Sequence, residues 1–225
     1  MRVTALLNRD GGTLKTADIQ AVCNQIEKEF SAAGHEVQCI VTSSARLEDN
    51  LKRIAGDPAA EVILAGGGDG TISAAAAMAY QSGKVLGVLP AGTMNLFARS
   101  LTIPLPLDKA ITALAKADVV RSDIGLMNGR PFVHQFSLGL QAQMIRERDK
   151  AEHASRIAKM WGSFRAFLRS TFRPFSFRAR LRTGSETRRG RFSVIAVSNN
   201  VYGEGTLPYA ARLDEGFWGS TASTG

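Results

Sequence analysis

The sequence predicts an α/β protein: a parallel-sheet lobe over residues 1–123, then a mostly antiparallel, β-rich lobe over residues 124–225. Three observations predict it. Short, near-continuous apolar runs alternate with segments of helical periodicity through the first half, as in a parallel sheet covered on both faces. Glycines gather where apolar runs end and helices begin. After Asp123 the strand-like runs cluster, which suits antiparallel pairing.

Each element has its own signal. "RVTALLN" is an apolar run that stops at the turn "RDGG". From Ala17 to Ala33, Ile19, Val22, Cys23, Ile26 and Phe30 recur at helical spacing, and Gly34 can close that helix. "HEVQCIVT" is the second strand. "SSARLEDNLKRIA" opens with two serines expected to cap a helix carrying Leu47, Leu51 and Ile54. "AEVILAG" is the third strand, Thr71 to Gln81 a small-residue helix, and "KVLGVLP" the fourth strand. Beyond residue 123, "RPFVHQFSLGL" and "RFSVIAVSNNVYG" read as strands, and "FSFRARLRTGSETRRGRF" as a hairpin around Thr183-Gly184-Ser185.

The net charge of +8 and a pI near 9.9 favour an anionic partner. Cys23 and Cys39 make no disulfide framework and no metal-type spacing; both are expected as core thiols in a reducing cytoplasm. The N-terminus lacks the pattern of a secretory signal, and no apolar stretch approaches the roughly 20 residues of a membrane-spanning helix. His35, His134 and His153 are scattered, and Ser137 and Ser198 have no sequence pattern of a nucleophile, so all five are expected to be structural.

"GGGDGT", Gly66 to Thr71, sits where the third strand hands over to a helix. Glycines there permit a tight turn and close approach of a ligand to the backbone. The helix beyond points free N–H groups and its positive dipole end at the loop, which suits phosphate. Asp69 would then meet Mg²⁺, a ribose hydroxyl or a loop amide. The pattern is neither GxxxxGK[ST] nor GxGxxG. A second loop, "LPAGTMNLFARSL", follows the fourth strand, with Thr93 and Asn95 close to a helix start. Successive parallel strands end on one edge of a sheet, where ligands bind.

"GGDGT" followed by "PAGTMNLFAR" resembles the catalytic domain of the diacylglycerol kinase and sphingosine kinase superfamily, including the bacterial soluble lipid kinases. "NRDGG" stands where that family has Asn-Pro-x-x-Gly, and "VSNNVYGEGTLPYAARLDEG" resembles a late family segment. "GGDGT" alone is shared with NAD kinases, a less favoured alternative. The resemblance implies a lipid kinase that moves the γ-phosphoryl group of ATP, with Mg²⁺, to a diacylglycerol or sphingoid hydroxyl. It implies nucleotide contacts at Thr42, Gly67, Gly68, Asp69, Gly70, Thr71, Ile72, Ser73, Thr93 and Asn95. It also implies a Mg²⁺ loop formed by Glu215 with the carbonyls of Arg212 and Phe217. The family's Asp-Gly-Glu segment, whose aspartate resembles a general base, has no counterpart before Gly225. The catalytic residue is therefore unassigned, and the second lobe is expected to be incomplete. The alternative expectation is an inactive nucleotide- or lipid-binding remnant, with room for a homodimer paired through exposed strands.

Between Arg146 and Arg191 fourteen Arg or Lys residues face four acids, an excess larger than the charge of the whole chain. Ile157, Trp161, Phe164, Leu168 and Phe172 fall on one helical face, with Arg156, Lys159, Arg165 and Arg169 mostly off it. A basic amphipathic helix with aromatic residues suits an anionic phospholipid surface. Arg156, Lys159, Trp161, Phe164, Arg165, Leu168 and Arg169 are the expected membrane contacts, on a cytoplasmic protein that visits the membrane peripherally. Nucleic acid is not expected as a partner, because the aromatic residues form an apolar stripe.

Overall fold

Four apolar runs become the parallel strands β1 (Arg2–Asn8), β2 (Glu36–Thr42), β3 (Val62–Gly67) and β4 (Val85–Pro90), in the order β2-β1-β3-β4. The computed structural model describes residues 1–139, 176–183, 186–199 and 219–223. β1 is flanked on both sides, with Leu6 opposite Ile40 of β2 and Ala65 of β3. Both faces of the sheet are covered. Leu6, Ile63, Ala65 and Val88 pack on one side with Leu51, Ile54, Ile72 and Phe97. Ala5, Leu7, Val62, Leu64 and Leu89 pack on the other with Val22, Ile26, Phe30 and Ile111. This double burial explains why these strands are apolar throughout and do not alternate.

Five helices supply the two layers: α1 (Ile19–Ala32), α2 (Leu47–Gly56), α3 (Asp69–Ser82), α4 (Leu96–Ser100) and α5 (Leu107–Leu114). α1 starts where Asp18 Oδ1 accepts the N–H groups of Gln20 and Ala21, both at 3.1 Å. α2 departs from expectation at its start. Ser43 makes no side-chain cap; a short 3₁₀ turn, Ser44–Arg46, leads into the helix. The Ser44 amide donates instead to Asp10 Oδ2 at 2.7 Å, so the carboxylate of another loop satisfies it. α3 begins two residues before the expected Thr71, because Gly68 is its N-cap.

The cysteines correct the expectation of two free core thiols. Cys23 faces the sheet from α1, Cys39 lies on β2, and the two form a disulfide with their Cα atoms 5.8 Å apart. The bond joins neighbouring elements of the same βα layer, a separation ordinary for disulfides.

The chain divides into two units. The first holds Met1–His134 and Asn199; the second lies within Gln135–Ser198 and includes β11. The first unit keeps a hairpin, β5 (Gly125–Met127) and β6 (Arg130–Phe132), so residues 124–134 fall on the near side of the division drawn at 123. Its turn is Asn128-Gly129, both with positive φ, the geometry of a two-residue hairpin loop. The expected single strand "RPFVHQFSLGL" is thereby split: β6 pairs with β5, while β7 (Gln135–Gly139) pairs with β10 (Val194–Ser198).

In the second unit β10 lies between β7 and β11 (Gly219–Ser223), antiparallel to both. β11 was not expected, since "GSTAS" has no apolar pattern; its backbone pairing with β10 makes it a strand. β8 (Phe177–Thr183) and β9 (Glu186–Phe192) form the expected antiparallel hairpin. The proposed membrane residues Arg156, Lys159, Trp161, Phe164, Arg165, Leu168 and Arg169 lie outside the described residues, as do Arg212, Glu215 and Phe217. Among the described residues no helix is long and apolar enough to cross a membrane.

Candidate functional site

The C-terminal edge of the parallel sheet gathers three glycine-bearing loops. The loop after β1 (Arg9 to Gly12) meets the loop after β4 through Thr13 N–H donating to Ala91 O at 2.7 Å. The loop after β4 is tied in turn to β3, since Ala91 N–H donates to Gly67 O at 3.1 Å. The approach is close enough to exclude side chains. Gly12 sits at φ 46°, and a Cβ there would collide with the carbonyl oxygen of Ala91. A Cβ on Gly92 would lie 2.6 Å from the Cα of Gly68.

Asp69 joins the second and third loops. Its Oδ1 accepts from Leu96 N–H at 2.7 Å and its Oδ2 from Asn95 N–H at 3.1 Å. Of the destinations open to this carboxylate in the sequence, the structure shows loop amides. Asn95 holds its own loop closed: Oδ1 accepts from Gly92 N–H at 2.7 Å, and Nδ2 donates to Gly92 O at 2.8 Å. It adopts a left-handed backbone, φ 50°, which asparagine tolerates better than most residues.

Asn8, at the end of β1, is the hub beneath these loops. It is 4% exposed. Nδ2 donates to Thr71 Oγ1 at 3.0 Å and to Ser44 Oγ at 3.2 Å, while Oδ1 accepts from Asp10 N–H at 3.2 Å. Thr71 is buried and so is spent on fixing the first turn of α3. Thr42, beside Asn8 in the sheet, is buried as well; it accepts from Asn50 Nδ2 and donates to Ser43 O. Ile72 points into the core, and Ser73 is half-buried one residue on.

The surface left open is therefore mostly backbone. Gly70 is exposed, and a Cβ there would meet nothing within 4 Å. The amides of the first turn of α3 have no partner within the helix. Thr93 stands exposed on the facing loop. Such an edge can hold an anion through N–H groups and the helix dipole, with no charged side chain needed. A protein-held Mg²⁺ does not fit the described residues. Both oxygens of Asp69 already serve amides, and no group of three His, Cys, Asp or Glu side chains comes together among them.

Sequence reading had gathered Thr42, Gly67, Gly68, Asp69, Gly70, Thr71, Thr93 and Asn95 on one edge, and they do lie at neighbouring strand ends. It passed over Asn8, Asp10 and Ser44. The signal was available, since "NRDGG" ends a strand on the same edge.

Fold and edge together define a doubly wound α/β protein with an anion-receptive helix start at its strand ends. Residues 2–127 match the family model of the diacylglycerol kinase catalytic domain. The chain belongs to that family. It is 27% identical over 165 residues to a diacylglycerol kinase of Staphylococcus saprophyticus, covering 70% of this chain and 52% of that protein. It is 40% identical over 92 residues to a protein of Citrobacter koseri named "Probable lipid kinase YegS-like", covering 39% and 31%. A crystal structure of a diacylglycerol kinase from Bacillus anthracis superposes with a TM-score of 0.72 at 19% identity, over 99% of this chain and 73% of that one, which shows the shared fold. The chain spans about a third to a half of the length of these curated relatives.

Proposed function

We propose that this chain provides the ATP-binding lobe of a lipid kinase that transfers the γ-phosphoryl group to a lipid hydroxyl, of the diacylglycerol or sphingoid type. The observation that carries this reading is the pair of hydrogen bonds that Asp69 accepts from the Asn95 and Leu96 amides, which holds the loop after β4 opposite the open first turn of α3. In this reading the amides from Gly68 to Thr71 receive the phosphates and the α3 dipole offsets their charge. Thr93 adds a hydroxyl donor from the facing loop. Asp69, Asn95, Asn8 and Thr42 act as positioning residues, because their side chains are occupied in fixing the loops. Phosphoryl transfer depends chiefly on positioning and electrostatic stabilisation, so a pre-set cradle is the contribution such a lobe makes. At this edge Mg²⁺ arrives bound to the nucleotide, since both oxygens of Asp69 already serve amides. The relatives named as lipid kinases support the acceptor class, which puts the working protein at an anionic phospholipid surface.

Gly68 provides the test. Its backbone is extended, and a Cβ would meet Gly92 Cα at an ordinary 3.6 Å, so the backbone accepts a side chain there and Gly68→Leu puts its bulk against the facing loop. Calorimetric titration with Mg·ATP is expected to show binding to the parent chain and none to G68L, with unchanged circular dichroism. Equal affinity in both would remove the nucleotide from this edge. Radiolabelled ATP with diacylglycerol or sphingosine in mixed micelles then tests the transfer.

A further inference from the structure

The hairpin of β8 and β9 carries charge in an arrangement that costs stability. In its register Arg178 lies opposite Arg191, Arg180 opposite Arg189, and Arg182 opposite Thr187. Directly opposed residues share a face, and alternate residues along a strand do too. Five arginines therefore stand on one face of a two-stranded ribbon, and all five are exposed. The other face carries Phe177, Ala179, Leu181 and Phe192, half-buried or buried.

Among the described residues none of the five pairs with a carboxylate; Arg191 donates to Ser176 Oγ, through Nη2 at 2.6 Å and Nε at 3.2 Å. The ribbon's ion pair, Arg188 with Glu186 at 3.8 Å, belongs to the opposite face. Like charges directly across a ladder are destabilising. Repeating that arrangement twice, with no acid between, leaves a flat cationic array with spacings of roughly 5 Å across and 7 Å along the strands.

We propose that this arginine face docks on the phosphates of an anionic phospholipid bilayer. A flat array of cations matches a flat array of phosphates, and each cation gains about 1 kcal/mol near an anionic surface. Both phenylalanines lie on the other face, so the ribbon offers no platform on which the bases of a nucleic acid could stack. The choice of a membrane as the source of phosphate rests on the lipid-kinase reading; the cationic face itself does not.

The test is sedimentation of the full chain with phosphatidylcholine vesicles, with and without phosphatidylglycerol, in the absence of ATP. Three variants are compared with the parent: R180Q/R182Q/R189Q, the charge-keeping R180K/R182K/R189K, and R46Q/R121Q/R130Q, which removes the same charge from exposed positions of the first unit. Each cation near an anionic surface is worth about fivefold in partitioning, so the hairpin glutamine triple is expected to bind about a hundredfold more weakly. The lysine triple and the remote triple stay within a few-fold of the parent, and raised salt weakens every form that binds. Equal losses in the two glutamine triples would overturn the proposal, as would loss in the lysine triple. So would a hairpin-dependent affinity for oligonucleotides in place of vesicles. ATP calorimetry without lipid separates the two readings: a parent chain that binds ATP but not the anionic vesicles strikes this proposal alone, and a parent chain that binds the vesicles but not ATP strikes the kinase lobe alone.

Discussion

The edge of the parallel sheet and the arginine ribbon treat polar groups in opposite ways. At the sheet edge the side chains of Asn8, Thr42, Thr71, Asp69 and Asn95 are all taken up in hydrogen bonds within the lobe. On the ribbon five arginines are held side by side, none of them paired with a carboxylate among the described residues. The first arrangement is set before any ligand arrives, so binding there costs little reorganisation. The second is a free-energy cost that an outside partner can offset. The difference separates a cradle built by internal bonds from a surface whose charge is left for something else to neutralise.

The largest expected effect comes from disturbing the interlock of the loops. Gly12→Ala forces a Cβ into the Ala91 carbonyl from a left-handed backbone, and should cost about 4 kcal/mol through strain and overpacking. Chemical denaturation would show it, and a loss below 1 kcal/mol would mean the loops slide freely past each other. Reduction of Cys23–Cys39 comes next. The bond closes a loop with a separation of 16 residues, for which the chain-entropy account gives about 3 kcal/mol. Melting with and without dithiothreitol reads this, with a C23A/C39A double variant as the reduced reference.

Asp69→Ala strands two loop amides and should cost about 2 kcal/mol of stability. It should also weaken Mg·ATP binding at least tenfold by calorimetry. A stability loss with undiminished ATP affinity would reduce Asp69 to a purely structural link. Asn8→Ala and Thr71→Val share one hydrogen bond, so their double-mutant cycle should return a coupling of about 1 kcal/mol. Additive losses would break the description of Asn8 as a hub. The smallest effect has the opposite sign. Arg180→Thr removes a like-charge pair and introduces a β-branched residue, so the chain should gain about 0.5 kcal/mol. A loss of stability would show that the arginines are already neutralised within the protein.

The first sheet was legible in the sequence because burial on two faces imposes a strong pattern: "ILAGG" and "KVLGVLP" admit few readings. The gathering of the glycine loops was legible too, since parallel strands must end together. What the sequence hid was direction and distance. Asp69 had three plausible destinations, and only the neighbouring loop's position selects the Asn95 and Leu96 amides. Cys23 and Cys39 sit on a helix and a strand, and a spacing of 16 residues says nothing about how close their Cα atoms come. β11 has no side-chain pattern because its place is set by backbone pairing with β10. The hairpin of β5 and β6 was readable in principle: Asn128-Gly129 is a strong hairpin signal that the apolar run around it obscured.

The bond from Thr13 to Ala91 also bears on how the protein is made. A ribosome delivers residue 13 nearly eighty residues ahead of residue 91, which at bacterial and eukaryotic elongation rates is about 4–16 s. Late in that interval β1 can pair with β2, since both strands are synthesised well before residue 91. The loop that follows β1 cannot close, because its partner has yet to be synthesised. Asn8 likewise waits for Thr71. The nascent chain thus carries an open polar edge until β4 arrives, and a pause in translation before residue 91 prolongs its exposure to chaperones and proteases.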